Sequence, residues 1–292
     1  MAENTIVAGE RYEVRGRLGE GGMGAVYRVT DQVRGEEVAL KVLGGPASDE
    51  AAFLRFKQEF RLMSRLAHPH CCAVYDFGRT PDGSPFFTME VVPGQELHAA
   101  VAAAPDALLG LVAQLLDALG YVHQQGFVHL DLKPENVRVR PDGTLVLMDF
   151  GLMAPAGQAL EGVRGTLAYV SPEVAKRDRV DARSDLYALG VTLYQMLTGV
   201  LPFAAADPLE WVHCHIARQP VTPAARRAVP EPLSAITMRL LAKNAEERYQ
   251  TAAGLEADLR RCLALYEAHG RIDAFPLGAR DVPDRLVIPE KL

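Results

Sequence analysis

The chain has 292 residues, 49% of them hydrophobic, and a formal net charge of −6. That length and apolar content support a sizeable core in one large domain or two lobes, while the acidic balance argues against nucleic acid as a partner. Four cysteines, Cys71, Cys72, Cys214 and Cys262, are too few and too irregular for a disulfide framework and suit a reducing cytoplasm. The first residues lack the basic and apolar blocks of a secretion signal. The most apolar stretch, Leu97 to Val122, is broken by Pro105, Asp106 and Asp117, so it reads as a buried helix and not as a membrane span.

In chain order, Tyr12–Gly19, Ala25–Asp31 and Glu36–Leu43 read as strands separated by Gly-containing turns. A helix follows, with Ser48 as its cap and Phe53, Phe56, Phe60 and Met63 at helical spacing. Two short strands come next, near Val74–Asp76 and Phe86–Val91. After Pro93-Gly94 the pattern turns helical. Asp106 is placed to cap a helix whose apolar face runs from Leu108 to Val122, and Gly126 stands where that helix would stop. A small hairpin joins Val137–Val139 to Leu145–Met148 through Pro141-Asp142-Gly143. From Asp185 onward helices dominate, and the tail from His269 to Leu292 reads as a linker or surface extension.

Gly19, Gly21 and Gly24, followed by Val26, fit G-x-G-x-x-G-x-V. Such a loop lets backbone N–H groups approach phosphate oxygens. Alone it is weak, because the same pattern opens dinucleotide-binding units; there, however, a helix must follow, and here a strand pattern does. Val38-Ala39-Leu40-Lys41 then sets a lysine in an apolar strand, and Glu59 on the next helix can reach back to it. A lone strand lysine is more often a surface residue; the loop and the carboxylate together favour a phosphate-holding cation. The decisive stretch is His129-Leu130-Asp131-Leu132-Lys133-Pro134-Glu135-Asn136, followed by Asp149-Phe150-Gly151. Phosphoryl transfer with a nucleotide and Mg²⁺ needs oxygen ligands, which Asn136 and Asp149 supply. Asp131 is free to accept the proton of an attacking hydroxyl, and Lys133 to neutralise charge on the transferred group.

On these motifs the chain resembles a Hanks-type serine/threonine protein kinase of the bacterial kind, from about Tyr12 to Cys262. Gly165-Thr166, Ser171-Pro172-Glu173, Asp185 with Gly190, and Arg248 agree with it. The resemblance implies an α+β, protein-kinase-like bilobal fold. Residues 1–92 would be a small antiparallel β-sheet lobe with one main helix, 93–268 a larger mostly helical lobe, and 269–292 an extension. It implies ATP as co-substrate with Mg²⁺, or Mn²⁺ in its place, and protein substrates with Ser or Thr acceptors. Asp131, Lys133, Lys41 and Glu59 would be catalytic, and Asn136 and Asp149 would hold the metal. Met89 would be the gatekeeper, Glu90 and Val92 would present backbone groups to adenine, Glu96 would reach the ribose, and Val26 and Ala39 would roof the base. The C-terminal part is similar to a bacterial group in which the kinase domain opens a long multidomain signalling protein. Further domains of a longer chain are therefore expected partners, with neither membrane nor nucleic acid, in the cytoplasm.

Two positions depart from the family pattern. Leu130 stands where an arginine usually holds an activation-segment phosphate, and the segment Gly151–Gly165 contains no Ser, Thr or Tyr. Receptor and acceptor are missing together, so phosphorylation of that segment is not expected to be the on-switch. Arg138 stands where an apolar side chain usually lies beneath adenine; it either lies flat under the base or weakens binding. These departures support the alternative of a nucleotide-binding pseudokinase serving as a regulatory or scaffolding module. A small-molecule phosphotransferase is disfavoured by the Gly165–Glu173 element. The clusters His68, His70, Cys71, Cys72 and His213-Cys214-His215 lack zinc-ligand spacing.

Overall fold

The computed structural model describes residues 10–21, 24–44 and 50–282. Its backbone contacts divide into two compact units, Met1–Pro93 with Met148–Gly151, and Gly94–Leu147 with Leu152–Leu292.

The first unit is an antiparallel sheet and a helix. Strands β1 (Tyr12–Gly21), β2 (Gly24–Asp31), β3 (Glu36–Leu43), β4 (Val74–Arg79) and β5 (Pro85–Glu90) lie in the order β1-β2-β3-β5-β4. The β1–β2 register closes at Gly21 opposite Gly24, so the Gly-rich stretch links two strands, as its pattern predicts. Gly22, Met23 and the expected cap Ser48 lie outside the described residues. Helix α1 (Glu50–Met63) carries Phe53, Phe56 and Phe60 on one face. Their rings meet Phe77 and Phe87 at centroid distances of 4.9–6.5 Å. Phe56 and Phe87 are fully buried; burial of each stabilises the unit by about 1.5–3 kcal/mol, enough to fix α1 against the sheet.

The second unit opens with β6 (Gln95–Glu96) and α2 (Leu97–Ala103), then α3 (Leu108–Gln124), β7 (Phe127–Val128), β8 (Val137–Val139), β9 (Leu145–Leu147) and β10 (Ala154–Pro155). It continues through α4 (Pro172–Lys176), α5 (Ala182–Thr198), α6 (Pro208–Ala217), α7 (Pro223–Arg226), α8 (Glu231–Leu240) and α9 (Ala252–His269). Strands β6, β8 and β9 form one small sheet, β7 and β10 another. Helix α5 is the core: every residue from Ser184 to Tyr194 is buried. Gly190 lets it approach α8, since a Cβ there would stand 2.6 Å from that of Leu240. The side chains of Asp181, Asp207 and Thr251 cap α5, α6 and α9.

Asp106 does not cap α3. A 3-10 turn over Pro105–Ala107 runs straight into the helix, and Ala107, itself helical, stands at the start with no side-chain cap. The turn supplies the local geometry that a cap would otherwise set. By length and composition the segment Pro105–Gln124 could cross a membrane; here Leu115, Leu116, Ala118, Leu119 and Val122 are buried within the unit. The tail is docked as far as it is described. Asp281 accepts from the backbone N–H groups of Gln250 and Thr251 at 2.8 and 3.0 Å, and Gly278 N–H donates to Asp258 at 2.6 Å.

Candidate functional site

The sheet unit assembles one set of expected residues. Lys41 on β3 pairs across the sheet with Val26 on β2 and Phe87 on β5. Its Nζ donates to Glu59 Oε1 at 2.7 Å and lies 3.8 Å from Asp149 Oδ1. Glu59 extends from the apolar side of α1 and is 3% exposed. Burial pushes its carboxyl above the ordinary range, opposed by the charge and hydrogen bond of Lys41. Asp149 sits at φ 55 with its side chain half exposed, while Phe150 beside it is buried. Ala39 is opposite Met89, and Glu90 N–H is taken by the Ala73 carbonyl. Gly19 and Gly24 lie at the glycine-rich turn of β1 and β2, and Val92, just beyond β5, is buried.

The helical unit assembles the other set. The Asp131 carboxylate accepts from Asn136 Nδ2 at 2.9 Å, from Thr166 N at 2.9 Å and from Thr166 Oγ1 at 3.0 Å, with Lys133 Nζ at 3.0 Å. Lys133 also donates to Thr166 Oγ1 at 2.7 Å. Three residues from two loops thus fix one carboxylate. Gly165 makes the approach possible: its φ is 90, and a Cβ would stand 2.6 Å from the Leu130 carbonyl. Beneath the loop, the fully buried Asp185 accepts from His129 N, Leu130 N and His123 Nε2 at 2.8, 2.9 and 2.8 Å. Burial works to raise its carboxyl, but His123, the charge of His129 and the backbone donor outweigh burial and hold it below the carboxylate range. These bonds hold Leu130 at φ 67, an uncommon conformation that needs such support.

Glu173 and Arg248 form a bidentate bridge at 2.8 and 2.9 Å. Glu96 on β6 lies opposite Arg138 on β8. Arg138 donates from Nη2 to the Gly94 carbonyl. Sequence reasoning passed over His123. Its signal was helical spacing: it follows Leu115 and Leu119 at four-residue steps, on the buried face of α3.

Oxygen donors suited to a hard cation are present in each unit: the half-exposed Asp149 carboxylate in the sheet unit and the Asn136 amide in the helical unit. No group of three or more His, Cys, Asp or Glu forms a metal cage among the described residues. Mg²⁺ is commonly held by one or two side chains with substrate phosphates and water. At Gly151 a Cβ would crowd Asp149 Oδ1 at 3.3 Å and the Glu59 carboxylate at 3.4 Å, so the glycine keeps both acids unobstructed.

A family model described as the protein kinase domain matches residues 12–259. The serine/threonine-protein kinase PknB of Mycolicibacterium smegmatis is 40% identical over 267 residues, covering 86% of this chain and 43% of that protein. Serine/threonine-protein kinase pkn3 of Myxococcus xanthus is 36% identical, covering 91% of this chain and 52% of that protein. Serine/threonine-protein kinase PksC of Streptomyces coelicolor is 37% identical, covering 90% and 50%. The chain belongs to the protein kinase domain family, and these relatives are bacterial, as the Hanks-type resemblance implies. It spans about half the length of the curated relatives it matches. Membership implies ATP and a divalent cation as the reaction's partners.

Proposed function

We propose that the chain is an active protein kinase domain that transfers the γ-phosphoryl group of ATP to Ser or Thr hydroxyls of protein substrates, in bacterial cytoplasmic signalling. The observation that carries this reading is the Asp131 carboxylate fixed by Asn136, Thr166 and Lys133. In this mechanism Lys41, oriented by Glu59, holds the α- and β-phosphates. Asn136 and Asp149 hold the Mg²⁺, which neutralises phosphate charge when bound. Asp131 takes the proton of the acceptor hydroxyl, and Lys133 offsets charge on the transferred group. The Glu90 carbonyl and Val92 N–H meet adenine, with Val26, Ala39 and Met89 around the base and Glu96 at the ribose. Residues 1–92 form the nucleotide lobe, 93–268 the acceptor lobe and 269–292 an extension. Further domains of a longer chain are expected alongside it.

The test is radiolabelled phosphate transfer to a generic protein acceptor with Mg²⁺. Asp131→Asn is expected to lower the rate by about 10²–10⁴-fold, the range for general acid–base catalysis, and Lys41→Met to abolish measurable transfer. Equal activity of wild type and Asp131→Asn would refute the assignment.

The same kinase is proposed to work without phosphorylation of its activation segment. Leu130 packs with Ala154, Leu160, Val170, Val174, Ala175 and Val180, an apolar anchor in place of an arginine–phosphate pair. Enzyme stripped by a phosphatase is expected to keep its activity. A large loss that returns on autophosphorylation would overturn this.

A further inference from the structure

Strand β6 is two residues long, yet it carries the carboxylate assigned above to the ribose. Its register places Gln95 opposite Val139 and Glu96 opposite Arg138. An arginine directly across an antiparallel pair from a glutamate ordinarily forms an ion pair with it. Here Arg138 turns to the Gly94 carbonyl instead. Glu96 faces His98 Nδ1 at 3.4 Å and keeps its side chain 38% exposed. Glu96 also stands at the N-cap position of α2, where its carboxylate makes no capping bond. The acid is therefore spent neither on the helix nor on the arginine.

The backbone leading into β6 is tightly placed. Gly94 has φ 115, and a Cβ there would stand 2.0 Å from the Val139 carbonyl. Arg138 Nη2 binds the Gly94 oxygen, while its own Nε is buried without a partner. An unsatisfied buried donor costs stability. An aliphatic side chain at this position would avoid that cost, so fold stability does not explain the arginine.

We propose that Arg138 is a positioning residue for nucleotide recognition: by tying the Gly94 carbonyl to β8 it fixes β6, and so holds the Glu96 carboxylate ready for the ribose hydroxyls. The proposal rests on the reading of Glu96 as the sugar ligand. Its physical basis is preorganisation, since a carboxylate already held in place loses less freedom on binding.

The test is calorimetric binding, in Mg²⁺, of the β,γ-methylene analogue of ATP and of its 2′-deoxy form. Wild type is expected to prefer the ribose form about tenfold, as for a hydrogen bond to a charged group. Glu96→Ala and Arg138→Leu are each expected to bring that ratio near unity. The double variant should lose no more than either single one, the mark of residues acting as a unit. Arg138→Lys, which keeps a donor able to reach Gly94, should retain most of the preference. A purely structural arginine would instead weaken both ligands equally and leave the ratio intact. Loss of the ratio in Glu96→Ala but not in Arg138→Leu overturns the proposal and spares the reading of Glu96. No ratio in wild type, with Glu96→Ala silent, overturns both, and no binding of either analogue by wild type overturns the kinase reading itself. If Arg138→Leu does not fold, Arg138→Gln is measured in its place against the same outcomes.

Discussion

The imidazole of His215 lies in a cage of rings. Trp211 is stacked at 6.0 Å, Phe203 stands edge-on at 5.3 Å, and Tyr187 does so at 5.7 Å with its hydroxyl 3.0 Å from Nδ1. Burial first, and then the charge of Lys243, push its pKa down from 6.5 to about 4. Lys243 itself reaches the Tyr187 hydroxyl at 3.4 Å and the Cys214 carbonyl at 3.2 Å, and Arg248 lies 4.9 Å from the Tyr187 ring. A histidine with a depressed folded pKa contributes stability that is complete above 6.5 and is lost as pH falls from 6.5 to about 4, because the unfolded chain binds the proton first. Melting temperature is therefore expected to fall in that window, and His215→Gln to flatten the fall. Glu173 and Asp185, both held below the carboxylate range, add their losses only as pH falls below about 5. A wild-type curve that is level between pH 6.5 and 5, or a variant with the same slope, would count against this account.

At the scale of elements, apolar periodicity made the helices legible, and the glycine-rich turn made the β1–β2 hairpin so. The tail was not legible in the same way. Its holding groups are polar and irregularly spaced, so no period betrays them. Asp281, with its side chain 1% exposed, accepts from Gln250 N, Thr251 N and Thr251 Oγ1 and lies 3.5 Å from Arg239. Phe275 lies under Arg261 at 4.6 Å. Residue 281 stands beyond the matched kinase segment, which ends at 259. Asp281→Ala strips acceptors from two backbone donors at the start of α9, a cost of about 1–3 kcal/mol. The melting temperature is expected to drop by about 2–12 °C. An unchanged value would mean that the tail does not brace α9. Asp106 shows the opposite error: a good capping residue was in place, and a 3-10 turn made it unnecessary.

For the molecule as a whole, the residues proposed to carry the chemistry were more legible in the sequence than what supports them. Lys41, Asp131, Lys133, Asn136 and Asp149 stand in contiguous motifs whose order is itself informative, and Glu59 stands on the helix after the first of them. Each unit brings its share of them into contact. His123 under Asp185, Gly165 against Leu130 and Arg138 on Gly94 are long-range pairings. One chain read alone does not announce them, because each depends on how distant segments meet.

The greasy seat of Leu130 carries a last consequence. An arginine–phosphate tether weakens as ions accumulate around it. A cluster of aliphatic side chains is indifferent to that screening and instead loosens on cooling. This one contact of Leu130 offers no grip to ionic strength. Temperature, acting through water, is the variable that can loosen it.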